Sequence, residues 1–409
     1  MVSLFHPGVC PDSAIPVSAG GEDHAAAGRF GFEMTTQTTP RTDRTALVAP
    51  YDAVLLLSFG GPETTDEVMP FLRRVVAGRG VPDERLEAVA EHYYAVGGRS
   101  PINDENRRLL ADLSAELAAR GIEVPVIWGN RNAEPYAAQA LREAAERGIH
   151  RVVAVVTSAY SSYSSCRQYR EDLAAAVAEA GVDVVVDKIR PFADHPSFGA
   201  TNADLLVAAV EPLLSAGRRP HVLFVTHSIP VTMNETSGPP DAGGRLYERQ
   251  HEAIGAGILA EVDRRLGIRL PGELVYCSRS GAPHQPWLEP DVNDRIEELA
   301  AAGVTDVVLQ PVGFVSDHME VVHDLDVEAA ATCERLGVRM VRIPTVGRAP
   351  SFVAGLVDLL LERAAQARGE QTVPPVWSPM TQVGPRPSTC PAGCCPNPRA
   401  PRPALCGRD

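Results

Sequence analysis

No stretch of this chain approaches the roughly 18 consecutive apolar residues that a membrane-crossing helix requires. The N-terminal stretch MVSLFHPGVCPDSAIPVSAGGEDHAAAGRF has neither a basic n-region nor an apolar h-region, which excludes a secretory signal. Positive charge is short as well: 38 Lys and Arg face 52 Asp and Glu, a formal net charge of −14. A chain of that sign is a poor partner for nucleic acid or an anionic membrane surface. The glycine turn Gly60-Gly61-Pro62 matches neither a Walker loop nor GxGxxG. No internal repeat of about 20–50 residues stands out. These absences leave a cytoplasmic protein in a reducing compartment, where disulfides are not expected. The eight cysteines therefore need another explanation where they cluster.

What is present is length and alternation. At 409 residues the chain exceeds one ordinary core, which implies two domains plus tails. Residues 1–50, rich in Ala, Gly, Thr and Pro, read as a disordered extension, with Met34 an alternative start. Short apolar runs follow, bounded by turn residues: Asp52–Ser58, Val124–Trp128, Arg151–Val156, Val182–Val186, His221–Thr226, Glu273–Tyr276, Val304–Leu309 and Val338–Ile343. Helical patterns lie between most of them, such as Asn106–Arg120, Ala203–Leu214 and Leu246–Leu266, and a last one covers Ser351–Arg368. Such alternation means parallel strands with helices on both faces, an α/β fold. Eight strands can close a barrel, but Arg218-Arg219-Pro220 reads as a link, which favours two open sheets. From Gln371 the chain turns Pro-rich and carries four cysteines, which alone are expected to pin it.

The chemistry is placed in Gln310–Asp326, QPVGFVSDHMEVVHDLD, after an apolar strand. At α-helical spacing Asp317, Glu320, Asp324 and Glu328 share one quadrant, with His318, Val322 and Leu325 on another face. Like charges three and four apart weaken a helix. The plain reading is a solvated acidic face; the sharper one is a path for a cation or for protons. The strand that feeds the row supports the second, because groups at carboxyl ends of strands face the ligand crevice.

Other candidates stand at similar positions. His227 ends the run HVLFVTHS, placed for proton transfer or ligation, or else satisfied by backbone. Thr157–Glu171 follows a strand and opens a helix that Ser164 or Ser165 can cap. Cys166 then sits in the first turn, where the helix dipole favours a thiolate; the alternative is a buried thiol. Arg73, Arg74 and Arg79 end the first helix and can meet substrate carboxylates or only the helix dipole. Tyr94 and Ser100 flank a glycine loop, and Arg131 is expected to point into the crevice. Cys390, Cys394 and Cys395, with Cys406 beyond, suit Zn²⁺ or an iron–sulfur cluster. Cys10 lies in the tail, and Cys277 and Cys333 read as core thiols.

SFGGPE (Ser58–Glu63), YYAVGGRSPIN (Tyr93–Asn103), VTHSIP (Val225–Pro230) and QPVGFVSDHMEV (Gln310–Val321) together resemble the ferrochelatase family, in order and over about Tyr51–Ala365. The resemblance implies two flavodoxin/Rossmann-like domains with parallel four-stranded sheets and a cleft between them. It implies insertion of Fe²⁺ into a porphyrin with release of two protons. His227 and Glu320 match the active-site histidine and glutamate, and Asp317, His318 and Asp324 match positions near the metal and proton path. Phe314, Arg131 and Tyr94 match pocket positions, and Phe59 stands where some relatives carry a metal-ligating tyrosine. The cysteine tail resembles those members, actinobacterial and animal, that hold a [2Fe–2S] cluster with one ligand from the body and three from the C-terminus. Cys166, Cys390, Cys394 and Cys395 are the expected ligands, with Cys406 as the alternative. The actinobacterial members of this kind act on coproporphyrin III.

The expected division is thus 1–50 extension, 51–220 and 221–345 α/β domains, 346–368 a helix returning to the first domain, and 369–409 the cluster-binding tail. Expected partners are coproporphyrin III and an iron donor, for a monomer without nucleic-acid or integral membrane association. The alternatives are a protoporphyrin IX ferrochelatase and a non-catalytic tetrapyrrole- or metal-binding protein with an iron–sulfur sensor tail. A two-lobed periplasmic binding protein is the third, and the missing signal peptide speaks against it.

Overall fold

β1 (Ala53–Ser58) reads AVLLLS, and every one of its residues is buried. Burial on both faces is why such strands show no polar alternation. Val54 and Leu56 face one core, while Ala53, Leu55 and Leu57 face another. The computed structural model describes residues 44–78, 80–280 and 284–408. The expected disordered extension lies outside the described residues as far as residue 43, as do Cys10 and Arg79. Order begins earlier than expected: Thr45–Val48 forms a 3₁₀ turn, Val48 is buried, and Arg368 donates to the Leu47 and Ala49 carbonyls.

After β1 come α1 (Val68–Val75), α2 (Asp83–Ala95), α3 (Ile102–Ala119), β2 (Val126–Asn130), α4 (Ala137–Glu146) and β3 (Arg151–Val156). α5 (Gln168–Ala180), β4 (Val185–Lys188) and α6 (Pro196–Ser215) complete the first half. The second half runs β5 (His221–His227), α7 (Val231–Glu235), α8 (Leu246–Leu266), β6 (Gly272–Cys277), α9 (Val292–Ala301) and β7 (Asp306–Gln310). A helical turn α10 (Met319–Val321), a π-helical segment (Val322–Ala329), α11 (Ala330–Leu336), β8 (Arg339–Arg342) and α12 (Pro350–Ala367) close it. The strands form two parallel four-stranded sheets, ordered β2-β1-β3-β4 and β6-β5-β7-β8, so the second half repeats the first. The expectation of two open sheets holds. They share one core, however: Leu56 and Val155 of the first sheet, Phe224 and Val308 of the second, and Phe352, Leu356 and Leu360 of α12 belong to a single apolar cluster. Among the described residues no helix is long and apolar enough to cross a membrane.

The Pro-rich tail is held by more than thiols, against expectation. Met380 is fully buried in the shared core, and the Trp377 N–H donates to the Asp194 carbonyl at 2.7 Å. The Trp377 ring lies where a Cβ on Gly199 of α6 would stand 2.2 Å from it. Gly199→Ala should therefore displace the ring. Overpacking of this kind costs about 1–3 kcal/mol, read as a lower Tm; an unchanged Tm would show that the ring is not anchored there.

Candidate active site

The chain leaves β5 for β6 on one side and reaches β7 on the other, so the carboxyl ends of β5 and β7 flank the point where strand order reverses. Ligand crevices open at such points. His227 is the last residue of β5. Its Nδ1 donates to the Ser228 carbonyl, which leaves Nε2 as the acceptor. The loop after β7 brings Glu320 to face it: Glu320 Oε2 lies 3.7 Å from His227 Nε2 and 3.8 Å from His318 Nδ1. Phe314 meets the His318 ring edge-on at 5.0 Å. Burial pushes the His227 imidazole down, but the Glu320 carboxylate overrides it and raises the pKa above 6.5. Burial likewise pushes Glu320 up, and His227 wins again, holding that carboxyl at about 2. Glu320 keeps 48% of its side chain exposed, so solvent screens the pair. Burial holds His318 below its ordinary value despite Glu320.

The acidic row is not α-helical, and this corrects the expected quadrant. Helical structure starts at Met319 and widens into π geometry from Val322 to Ala329. Bonding to the fifth residue changes which side chains align, and such segments recur at functional sites. One ligand atom each from His323, Asp324 and Glu328 comes within 4.8 Å of the others. Asp324 also accepts from the Ser278 hydroxyl. Asp317 precedes the helix and does not join the row; its carboxylate pairs with Arg342 at 2.8 Å. His318, expected on another face, stands at the N-cap and meets Glu320 instead.

An apolar cluster adjoins this pair through Met319, next to Glu320. Phe71 of α1 meets Phe59 and Tyr93 at 6.1 Å each, and Met319 joins the same cluster from the second half. Tyr93, not Tyr94, is the buried tyrosine of α2; Tyr94 is exposed. Ser100 is buried against Gly61 rather than open to a crevice. Arg131 does not reach into the crevice: its side chain is only 8% exposed, paired with Asp172, and stacked 4.4 Å from the Tyr169 ring. Its guanidinium also lies 5.4 Å from the Phe59 ring. Arg73 pairs with Asp83 at 2.7 Å on the surface, and Arg74 lies 4.4 Å from the Tyr136 ring.

The ferrochelatase family model matches residues 51–364. The chain belongs to the ferrochelatase family. It is 49% identical over 368 residues to the coproporphyrin III ferrochelatase of Streptomyces coelicolor, covering 88% of this chain and 97% of that one. It is 50% identical over 375 residues to the coproporphyrin III ferrochelatase of Leifsonia xyli, covering 87% and 94%. A solved structure of SirB from Bacillus subtilis with Fe³⁺ aligns with TM-score 0.42 at 13% identity, over 78% of this chain and 97% of that chain.

This ferrochelatase chain also gathers four thiols. Cys166, Cys390, Cys394 and Cys395 form one buried cluster, with Cys394 and Cys395 Sγ 3.9 Å apart. Hydrogen bonds from the Cys166 and Cys394 thiols hold Cys390 toward the thiolate. Gly238 donates to Cys395 Sγ at 3.1 Å. Cys406 stands apart, with its Sγ 3.6 Å from the Val186 carbonyl. The helix start is capped by Ser162, not Ser164 or Ser165: its side chain accepts from the Ser165 N–H, and Cys166 lies in a π turn over Tyr163–Arg167.

Sequence reasoning missed His92 and His323, whose rings stack at 3.8 Å and join α2 to the π segment. It also missed Ser278, and it read Tyr93 into a loop, whereas α2 carries it. His323 had a signal, an imidazole beside Asp324 in the motif itself; His92 had none, because only the fold brings α2 there.

Proposed function

We propose that this chain inserts Fe²⁺ into coproporphyrin III, giving iron coproporphyrin and two protons, as a step in heme synthesis. The observation that carries the reading is the His227–Glu320 pair, 3.7 Å apart at the switch point of the second sheet. Family membership and the names of the relatives support it. A free-base tetrapyrrole offers four nitrogens, two of which hold protons, so insertion needs a base and a route for the ion. The imidazole of His227 accepts the pyrrole protons on one face of the ring. Glu320 opposes it as a carboxylate, and Asp324, His323 and Glu328 behind it suit passage of a divalent cation. The wall of Phe59, Phe71 and Met319 gives the macrocycle an apolar surface.

Four propionates distinguish coproporphyrin from protoporphyrin, which has two. Arg73 is exposed, and a propionate can replace its Asp83 partner. A vinyl group in that place offers the guanidinium no charge-assisted bond. We therefore expect kcat/KM for coproporphyrin III to exceed that for protoporphyrin IX. Absorption spectra with Fe²⁺ and each porphyrin check this: equal or reversed values refute the preference, and turnover that stops at one equivalent favours a carrier.

The four thiols fit a [2Fe–2S] cluster held by Cys166, Cys390, Cys394 and Cys395. They are buried together and meet a backbone N–H at Cys395. Lys188, the chain's only lysine, is buried and lines a cavity with Cys166, where its charge offsets thiolates. Bound there, the cluster supplies structural fastening or redox sensing; the insertion itself transfers no electrons. Free thiols and Fe²⁺ both suit a cytoplasmic site of action.

A further inference from the structure

We propose that a buried hub of Thr226, Tyr247 and His251, tied to the first half by Tyr160, is the positioning device that holds His227 opposite Glu320. The inference rests on the reading of those two residues as the working pair. Thr226 precedes His227 and is fully buried. Its Oγ1 lies 2.9 Å from His251 Nε2 and 2.8 Å from the Tyr247 hydroxyl. That hydroxyl donates to the His227 carbonyl at 2.9 Å. His251 Nδ1 stands 2.7 Å from the Tyr247 carbonyl. A carbonyl only accepts, so Nδ1 carries the proton and Nε2 accepts from Thr226. Burial pushes the His251 imidazole down to about 3, which keeps it in this neutral form.

The hub also grips the loop that leads to Glu320. Tyr160 stacks on the His251 ring at 3.6 Å, and its hydroxyl donates to the Val312 carbonyl at 2.8 Å. Gly313 comes next and packs so closely that a Cβ there would stand 2.1 Å from Thr226 Oγ1. Phe314 follows, against His318. One polar cluster thus contacts the end of β5 and the backbone beyond β7. Buried networks of this kind fix one arrangement, and removal of a single member leaves the others with fewer partners.

Thr226→Val keeps the shape and deletes the hydroxyl; Tyr247→Phe keeps the ring and deletes the donor to His227; Thr226→Ser restores a hydroxyl. In the full-length protein kcat for iron insertion should fall about ten- to a hundredfold in the first two. KM for the porphyrin should stay within about twofold, and Thr226→Ser should return kcat close to the wild type. Amide exchange of residues 226–229 and 312–320 should quicken in Thr226→Val and Tyr247→Phe. Folded variants with unchanged kcat, or with KM raised and kcat kept, overturn the proposal. If Thr226→Val does not fold, Tyr247→Phe decides alone. If the wild type itself inserts no iron, the functional reading fails, and unchanged amide exchange in the variants would separately overturn the hub.

Discussion

His227→Ala is expected to lower kcat by about 10²–10⁴-fold, the range that a positioned acid or base contributes, with the fold intact. The side chain ends a strand whose backbone bonds do not involve it, so its loss leaves β5 paired with β6 and β7. Glu320→Gln should act similarly, because it removes the charge that faces the imidazole at 3.7 Å. The two losses differ in their pH dependence. Neutral imidazole is the form that accepts a proton. Glu320 raises the His227 pKa above 6.5, so activity falls as pH drops through that raised value. The acid limb of log kcat against pH therefore lies above 6.5 in the wild type and moves to lower pH in Glu320→Gln. Steady-state rates across pH decide both points. Wild-type turnover in either variant removes the pair from the reaction, and an unmoved limb shows that the two groups are not coupled.

The frame of this site was legible because buried parallel strands read as continuous apolar runs. Arg151–Val156 and Leu246–Leu266 keep the expected bounds. Others shifted where tertiary contacts outweigh local pattern. α6 starts at Pro196 rather than Ala203, because the polar Thr201 and Asn202 are buried, Asn202 against Gln310 and Thr201 against Ser351. The π segment left no mark in composition, since a change from fourth- to fifth-residue bonding uses the same residue types. Arg131 was misplaced for a related reason. A cation at a strand end suits a crevice, but Asp172 on α5 claims it, and nothing in the local sequence records that partner. The hub under His227 was equally invisible: His251 reads as one more position of a long helix until Thr226 is placed against it.

Cys166→Ser should abolish the proposed iron–sulfur centre. Anaerobically purified wild type is expected to be red-brown, with about two iron and two acid-labile sulfide per chain, and the variant colourless with neither. Cys406→Ser should keep the colour, because its Sγ faces the Val186 carbonyl outside the group of four. The structural consequence is local. Trp377 and Met380 hold the first part of the tail through the shared core, independently of any thiol. Beyond Arg386 the chain is held around the four thiols: Cys390 pairs with Gly407 across an isolated bridge, and the Cys395 N–H donates to the Gly238 carbonyl at 3.0 Å. Without the proposed cluster the buried thiolates would repel one another and lose the bonds that fasten this part. Amide exchange should therefore rise across residues 387–408 in Cys166→Ser and stay slow across 376–383. Release of the whole tail would mean that Trp377 is no independent anchor. A variant that keeps two iron and two sulfide would remove Cys166 from the ligand set, and a wild type that carries zinc instead would replace the cluster while leaving the insertion chemistry at His227 untouched.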